Sequence, residues 1–184
     1  KDFKNVLLDE DIAANRAYPI FSWVYRKTVF DFEDMSDLPK SVRPELNQKI
    51  SIIKLSLEAE ERAEDDSAIK FLFRTEDDQL IETVLLIAGD QPEKDRLTLC
   101  VSSQVGCGLA CNFCVTGKMG FKRDLSTAEI VSQRLLAEEY AKERFGLDPK
   151  ERAIYNIVLM GMGEPLLNYD HTMLGQRIAE GWGF

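Results

Sequence analysis

Cys107, Cys111 and Cys114 form a C-x3-C-x2-C loop, and the remaining cysteine of the 184-residue chain, Cys100, lies seven positions upstream. Disulfide-rich secreted domains scatter their cysteines to staple distant segments. One tight group instead points to metal ligation in a reducing compartment. Three closely spaced thiolates can hold three corners of a cubane iron–sulfur cluster and leave the fourth iron open to a substrate. A structural zinc ion usually takes four ligands, and Cys100 is the residue available to complete such a set. Strand alternation groups Cys100 with Thr98 and Ser102 on one face, opposite Leu97, Leu99 and Val101. That arrangement sets it back from the loop, facing what would be a barrel lumen.

These residues need elements to hold them. Residues 97–101 have the pattern of a strand leading into the cysteine loop. Ser126-Thr127-Ala128-Glu129 is a capping box that opens a helix running to about Arg144, with Gly146 and Pro149 closing it. Residues 153–160 form a nearly unbroken apolar run, as expected of a strand buried on both faces in a parallel sheet. Strand, helix and strand make a βαβ unit. Upstream, short β-branched and aromatic runs at 52–53, 69–73 and 80–87 alternate with the acidic turns 64–67 and 76–78, which predicts strands. Residues 1–50 are helical in pattern, with Ile12, Phe21, Val24 and Tyr25 at helical spacings. A linker at 31–39 and a second short helix near 43–48 follow, with Pro44 in the first turn. The division drawn from sequence is therefore 1–50 helical, 51–95 a short β-rich linker region and 96–184 α/β.

The loop C-x3-C-φ-x-C, with Phe113 as its aromatic, resembles that of radical S-adenosylmethionine (SAM) enzymes. The stretches 96–107, 117–121 and 156–168 resemble the RlmN-type adenine carbon-2 methyltransferases of 23S ribosomal RNA and transfer RNA. Arg16-Ala17-Tyr18 and Trp23-Val24-Tyr25 are similar to the family's helical RNA-binding extension. The fold this implies is α/β: a partial radical-SAM (β/α)6 barrel preceded by a small helical domain and a short β extension.

The resemblance also implies roles. Cys107, Cys111 and Cys114 would hold a [4Fe–4S] cluster that chelates and cleaves SAM, and Phe113 would pack near the SAM adenine. Gly163 and Glu164, in Gly161-Met162-Gly163-Glu164-Pro165, would let backbone approach SAM and accept a charge-assisted bond from its ammonium. Glu82 would remove the carbon-2 proton in a reaction that passes through a methyl-cysteine. Cys100 would resolve the RNA–protein thioether by forming a disulfide bond. The implied partners are 23S rRNA, tRNA and an external one-electron reductant such as flavodoxin or ferredoxin. Lys118, Phe121, Lys122 and Arg123 form one basic–aromatic patch able to meet RNA phosphates, and Trp23, Arg26 and Lys27 a second. His171 has no assigned role.

Composition bounds these readings. The formal net charge is −9, with −8 in residues 1–97 and −1 in residues 98–184. Bulk electrostatics therefore oppose binding to a phosphate backbone, so an RNA contact must be local. No apolar run approaches the ~18 residues of a membrane span, and the first twenty residues lack a signal-peptide pattern. The expected compartment is the cytoplasm, with an organelle stroma or matrix also compatible. Two barrel strands are visible where the family fold has about six, and all four cysteines already have roles. The methyl-carrying cysteine is therefore expected beyond Phe184, and this chain alone is expected not to methylate RNA. Two other readings stay open: a non-catalytic RNA-binding fragment or isoform, and a zinc-stabilised structural module.

Overall fold

Ala17, Ile20 and Val24 recur at the three- and four-residue spacing of a helix, and they are the buried face of α1 (Ala17–Lys27). On another side of α1 the Phe21 and Tyr25 rings stack with centroids 4.1 Å apart. The computed structural model describes residues 7–8, 12–52, 55–89, 97–148 and 151–180, in two compact units, Lys1–Ile53 and Lys54–Phe184. In the first unit, the stretch taken as a linker is a packed turn. Phe32, Met35 and Leu38 are buried there, and the Arg43 guanidinium donates to the carbonyls of Glu33 and Leu38. Helix α2 (Arg43–Lys49) carries Pro44 in its first turn and buries Leu46.

The second unit is built on a five-stranded sheet. Strands β1 (Ser56–Arg62), β2 (Ala68–Arg74), β3 (Leu80–Leu86) and β4 (Leu97–Cys100) form an antiparallel meander, and β7 (Ile154–Val158) pairs with β4 in parallel. The sheet thus runs across the 95/96 division drawn from sequence. Of the strand expected at 52–53, Ile52 lies outside any strand, and Ile53 lies outside the described residues. The outer strand is β1 instead, exposed along its whole length and acidic. Its place comes from the ladder with β2 rather than from any apolar content of its own. The acidic turns do close the hairpins, with Asp66 and Asp78 in the left-handed region at φ 54° and 59°.

Between β4 and β7 come a hairpin of β5 (Gln104–Gly106) and β6 (Phe121–Asp124), the four-residue α3 (Val115–Lys118) and the long α4 (Thr127–Phe145). After β7 comes α5 (Tyr169–Glu180). The capping box forms as expected, with Ser126 at the N-cap of α4 and Gly146 in the left-handed conformation at its C-cap. Pairing β4 with β7 through α4 is the expected α/β arrangement. No helix among the described residues is long and apolar enough to cross a membrane.

The two faces of the sheet differ. Ile81, Leu85, Leu97, Leu99 and Ile154 pack with Ile130, Ala137 and Ala141 of α4 in one core. On the other face the ladder registers align Glu61, Lys70, Val84, Cys100 and Val158 in a row across all five strands.

The buried side of α4 is not purely apolar. The Glu138 carboxylate accepts the amides of Ala153 (2.7 Å) and Ile154 (3.0 Å) and pairs with Arg134 and Lys142, each at 3.4 Å. This ties the helix to the start of β7. Burial pushes the Arg134 guanidinium pKa down to about 10, with Glu138 opposing that shift. Replacing Glu138 by Ala takes the carboxylate away from a buried cation and from two backbone donors. Urea unfolding of Glu138→Ala is expected to show a loss of about 3–5 kcal/mol. A loss under about 1 kcal/mol would show the tie to be dispensable.

Candidate functional site

The cysteine loop is the tip of the β5–β6 hairpin. Gln104 pairs with Asp124, Val105 with Arg123 and Gly106 with Phe121, and the Cys107 amide donates to the Gly120 carbonyl at 3.2 Å. Gly106 has φ +77°, and a Cβ on it would collide with that same Gly120 oxygen. Only glycine closes the ladder immediately before the first cysteine. Within the loop, the Cys114 amide donates to the Cys111 carbonyl at 3.0 Å, and α3 begins directly after Cys114.

Cys107, Cys111 and Cys114 are half-buried free thiols. The amide of Gly117, and then the amide and hydroxyl of Thr116, hold the Cys114 thiol below its ordinary pKa against a smaller opposing effect of burial. Among the described residues, no three His, Cys, Asp or Glu side chains stand close enough together to hold a metal ion. The donor set nevertheless fits an iron–sulfur cluster: three soft thiols on one loop, one of them already biased toward thiolate. Phe113 is 91% exposed at the tip, so it is not a core residue.

The second motif, sixty residues on, docks against the base of this hairpin. The Met162 carbonyl accepts the amides of Ser103 (2.8 Å) and Gln104 (3.2 Å), and the Met162 amide donates to Ser102 Oγ (2.8 Å). The Gly161 amide donates to the Val101 carbonyl, and the Glu164 amide to Gln104 Oε1 at 2.9 Å. Gly163 has φ +99°, and a Cβ there would stand 2.5 Å from Gln104 Cβ. Asn168 locks the far end, its Nδ2 donating to the carbonyls of Ser103 and Leu125, both at 2.8 Å. The Glu164 carboxylate is half-buried, with Oε1 accepting the Leu166 amide.

Cys100 and Glu82 share the sheet face turned away from α4. Val84 lies directly opposite Cys100, and Glu82 is two residues from Val84 on the same side. Cys100 is buried, and burial pushes its thiol pKa up against a hydrogen bond from the Met160 amide. Glu82 is exposed, with Oε1 3.8 Å from Lys70 Nζ. Lys70 also holds Glu61 at 2.7 Å.

The expected basic patch at 118–123 is largely committed within the protein. Arg123 binds Asp77 (2.6 and 2.9 Å) and Glu129 (2.8 and 3.0 Å), and Lys122 Nζ donates to Gln79 Oε1 at 2.6 Å. In the other patch, Lys27 Nζ sits 3.2 Å over the Trp23 ring, while Trp23 Nε1 donates to Asp37. Sequence reasoning missed Gln104, Asn168 and Gln133. Gln133 is buried, and it accepts from Thr83 Oγ1 and the Ser102 amide while donating to the Ser102 carbonyl. Gln104 and Asn168 lie within the stretches 96–107 and 156–168 that resemble the family, but residue type alone does not say what an amide side chain bonds.

Comparison with known proteins places this geometry. Residues 2–52 match the family model described as the ribosomal RNA large subunit methyltransferase N-terminal domain. The probable dual-specificity RNA methyltransferase RlmN of Aquifex aeolicus is 46% identical over 157 residues, 85% of this chain and 41% of that protein. The dual-specificity RNA methyltransferase RlmN of Dichelobacter nodosus is 43% identical over 171 residues, 92% of this chain and 44% of that protein. The chain therefore spans under half the length of these curated relatives. A crystal structure of a radical SAM methyltransferase from Sphaerobacter thermophilus superposes with TM-score 0.84 at 40% identity, covering 98% of this chain and 50% of that one.

The Arg123 network carries a pH signature. Arg123 first, and then the Thr75 hydroxyl, hold the Asp77 carboxyl far below the usual carboxylate range. For Glu129, burial pushes upward, but Arg123 and the Ser126 amide and hydroxyl outweigh it and the net shift is downward. Depressed carboxyl pKa values stabilise the fold fully above their unfolded values, about 4. That contribution is lost as pH falls through the folded values. Arg123→Met is therefore expected to be less stable at neutral pH and to lose less on acidification below about pH 4. Unfolding free energies measured between about pH 2 and 6 test this, and curves parallel to wild type would refute it.

Proposed function

We propose, since this chain belongs to the RlmN family, that it forms part of a radical SAM methyltransferase acting on carbon 2 of an adenine in 23S rRNA and in tRNA. The observation that carries this reading is the docking of the Gly-Met-Gly-Glu turn onto the base of the cysteine hairpin. It sets a thiol-rich loop and a carboxylate-bearing turn side by side, as binding one cofactor across both would need.

Cys107, Cys111 and Cys114 would hold the [4Fe–4S] cluster, and Glu164, beside Gly163, would meet the ammonium of SAM. Phe113, exposed at the loop tip, is available to pack on the SAM adenine. When bound, the cluster and SAM supply the radical chemistry. The remaining work falls to side chains on the open face of the sheet. Glu82 would take the carbon-2 proton, and its exposure allows a substrate base to reach it. Cys100 would resolve the RNA–protein adduct by disulfide formation with the methyl-carrying cysteine. Burial raises the Cys100 pKa and so disfavours the thiolate. The reading carries with it an external one-electron reductant such as flavodoxin or ferredoxin, and a cytoplasmic setting.

Anaerobic reconstitution of the full-length protein with iron and sulfide tests the assignment. About four irons per chain are expected for wild type, Cys100→Ala and Glu82→Gln, and a large loss for alanine at Cys107, Cys111 or Cys114. Cys100→Ala and Glu82→Gln are expected to retain SAM cleavage and lose methyl transfer to RNA. Iron retained after removal of all three loop cysteines, or one tightly held zinc in its place, would overturn the proposal.

A further inference from the structure

We infer that Gln104 is a positioning residue that sets the Glu164 turn at the right distance from the cysteine loop, an inference that rests on the reading of Glu164 as a SAM contact. Gln104 is buried at the first position of β5, three residues before Cys107. Its carboxamide spans two segments that do not otherwise meet in sequence. Nε2 donates to Asp124 Oδ1 at 2.7 Å, on the returning limb of the hairpin, and Oε1 accepts the Glu164 amide at 2.9 Å. The orientation follows from chemistry: an ionised carboxylate can only accept and a backbone amide can only donate. The stem is held as tightly as the head, because its Cβ and Cγ fill the space where Gly163 lacks a side chain.

The site therefore requires one side chain with an acceptor toward residue 164, a donor toward residue 124 and the reach of three carbons. Asparagine is too short. Glutamate has the reach but turns two carboxylates on each other. Leucine has neither polar end. Of these side chains glutamine alone can bridge Asp124 to the Glu164 amide, and it adds to the backbone bonds of Met162 in fixing the spacing of the two cofactor contacts.

Reversing the polarity of the pair separates positioning from simple loss of stability. Gln104→Glu places its carboxylate against Asp124. Adding Asp124→Asn restores a donor–acceptor pair of the same shape with its direction reversed. In the reconstituted full-length protein, Gln104→Glu is expected to keep its iron and to bind SAM about tenfold more weakly, as suits the loss of one buried hydrogen bond. The double variant is expected to return to within about threefold of wild type. Amide exchange at Glu164, followed by NMR in the iron-free chain, should accelerate in Gln104→Glu and slow again in the double variant.

Wild-type SAM affinity in Gln104→Glu, alongside weakened binding in Glu164→Gln, would overturn the role of Gln104 and leave Glu164 as the contact. Wild-type affinity in Glu164→Gln would remove the reading beneath it. Loss of iron in step with SAM affinity, unrestored by Asp124→Asn, would show Gln104 to be a folding residue only.

Discussion

From the Val101 amide to the Gln104 amide, irregular backbone is buried between a strand end and a hairpin, and each polar group along it must find a partner inside the protein. Such a segment is costly unless satisfied, because each unpaired buried amide or carbonyl forfeits its hydration for nothing in return. Val101 exchanges hydrogen bonds with Val158 and Gly161. Ser102 is held at both its amide and its carbonyl by the single side chain of Gln133. The Ser103 carbonyl receives the Leu125 amide and the Asn168 carboxamide, and the Ser103 and Gln104 amides share the Met162 carbonyl. Five places in the chain, α4, β7, the 161–164 turn, the residue before the α4 N-cap and Asn168 ahead of α5, are therefore registered by one stretch of four residues. The candidate site follows from that accounting, since the chain leaves this stretch as the cysteine hairpin and returns to it as the Gly-Met-Gly-Glu turn.

The same economy explains the contrast between the two faces of the sheet. The side packed on α4 holds the apolar core, and its polar groups are spent internally. Thr83 meets Gln133, and Glu138 meets the start of β7. The opposite side carries Glu61, Lys70, Glu82 and Cys100, where Lys70 pairs with both carboxylates and the Cys100 thiol is met by the Met160 amide. Groups able to act on a substrate thus collect where the fold does not consume them. Cys100 is the exception in burial, and its raised pKa is the consequence.

What the sequence disclosed depends on how local its code is. The cysteine spacing, the capping box at Ser126 and Glu129 and the apolar run of β7 are written in residue types a few positions apart. The capping box and β7 stand where expected, although Tyr155 and Asn156 leave β7 exposed on one stretch rather than buried on both faces. Strand β1 is not written that way. Ser56-Leu57-Glu58-Ala59-Glu60-Glu61-Arg62 has little apolar alternation, and only its ladder with β2 makes it a strand. The turn around Phe32, Met35 and Leu38 was hidden by its acids, although apolar residues three apart do hint at it. The β5–β6 hairpin was missed because strands of three and four residues need a partner, here separated by the whole cysteine loop. The roles of Arg123 and Gln104 were illegible for a related reason. A guanidinium that binds RNA and one that binds Asp77 and Glu129 are the same letter in the chain.

That last ambiguity bears on how the loop can work. Its tip must stay open, with Phe113 exposed and the three thiols accessible, while its base must not move. Apolar packing would serve poorly there, because it fixes volume but not register. The base is instead held by directional, partly charged bonds from three sides. Arg123 reaches the β2–β3 turn through Asp77 and the first turn of α4 through Glu129, and Asp124 reaches the Glu164 turn through Gln104. Adjacent residues on one short strand thus carry opposite charges to different supports. Each bond is modest alone, but together they set the angle and the height of the hairpin, and an open tip on a firmly held base can admit a cofactor without losing its geometry. The basic residue that looked suited to RNA is paired here with Asp77 and Glu129, and through them it supports the loop.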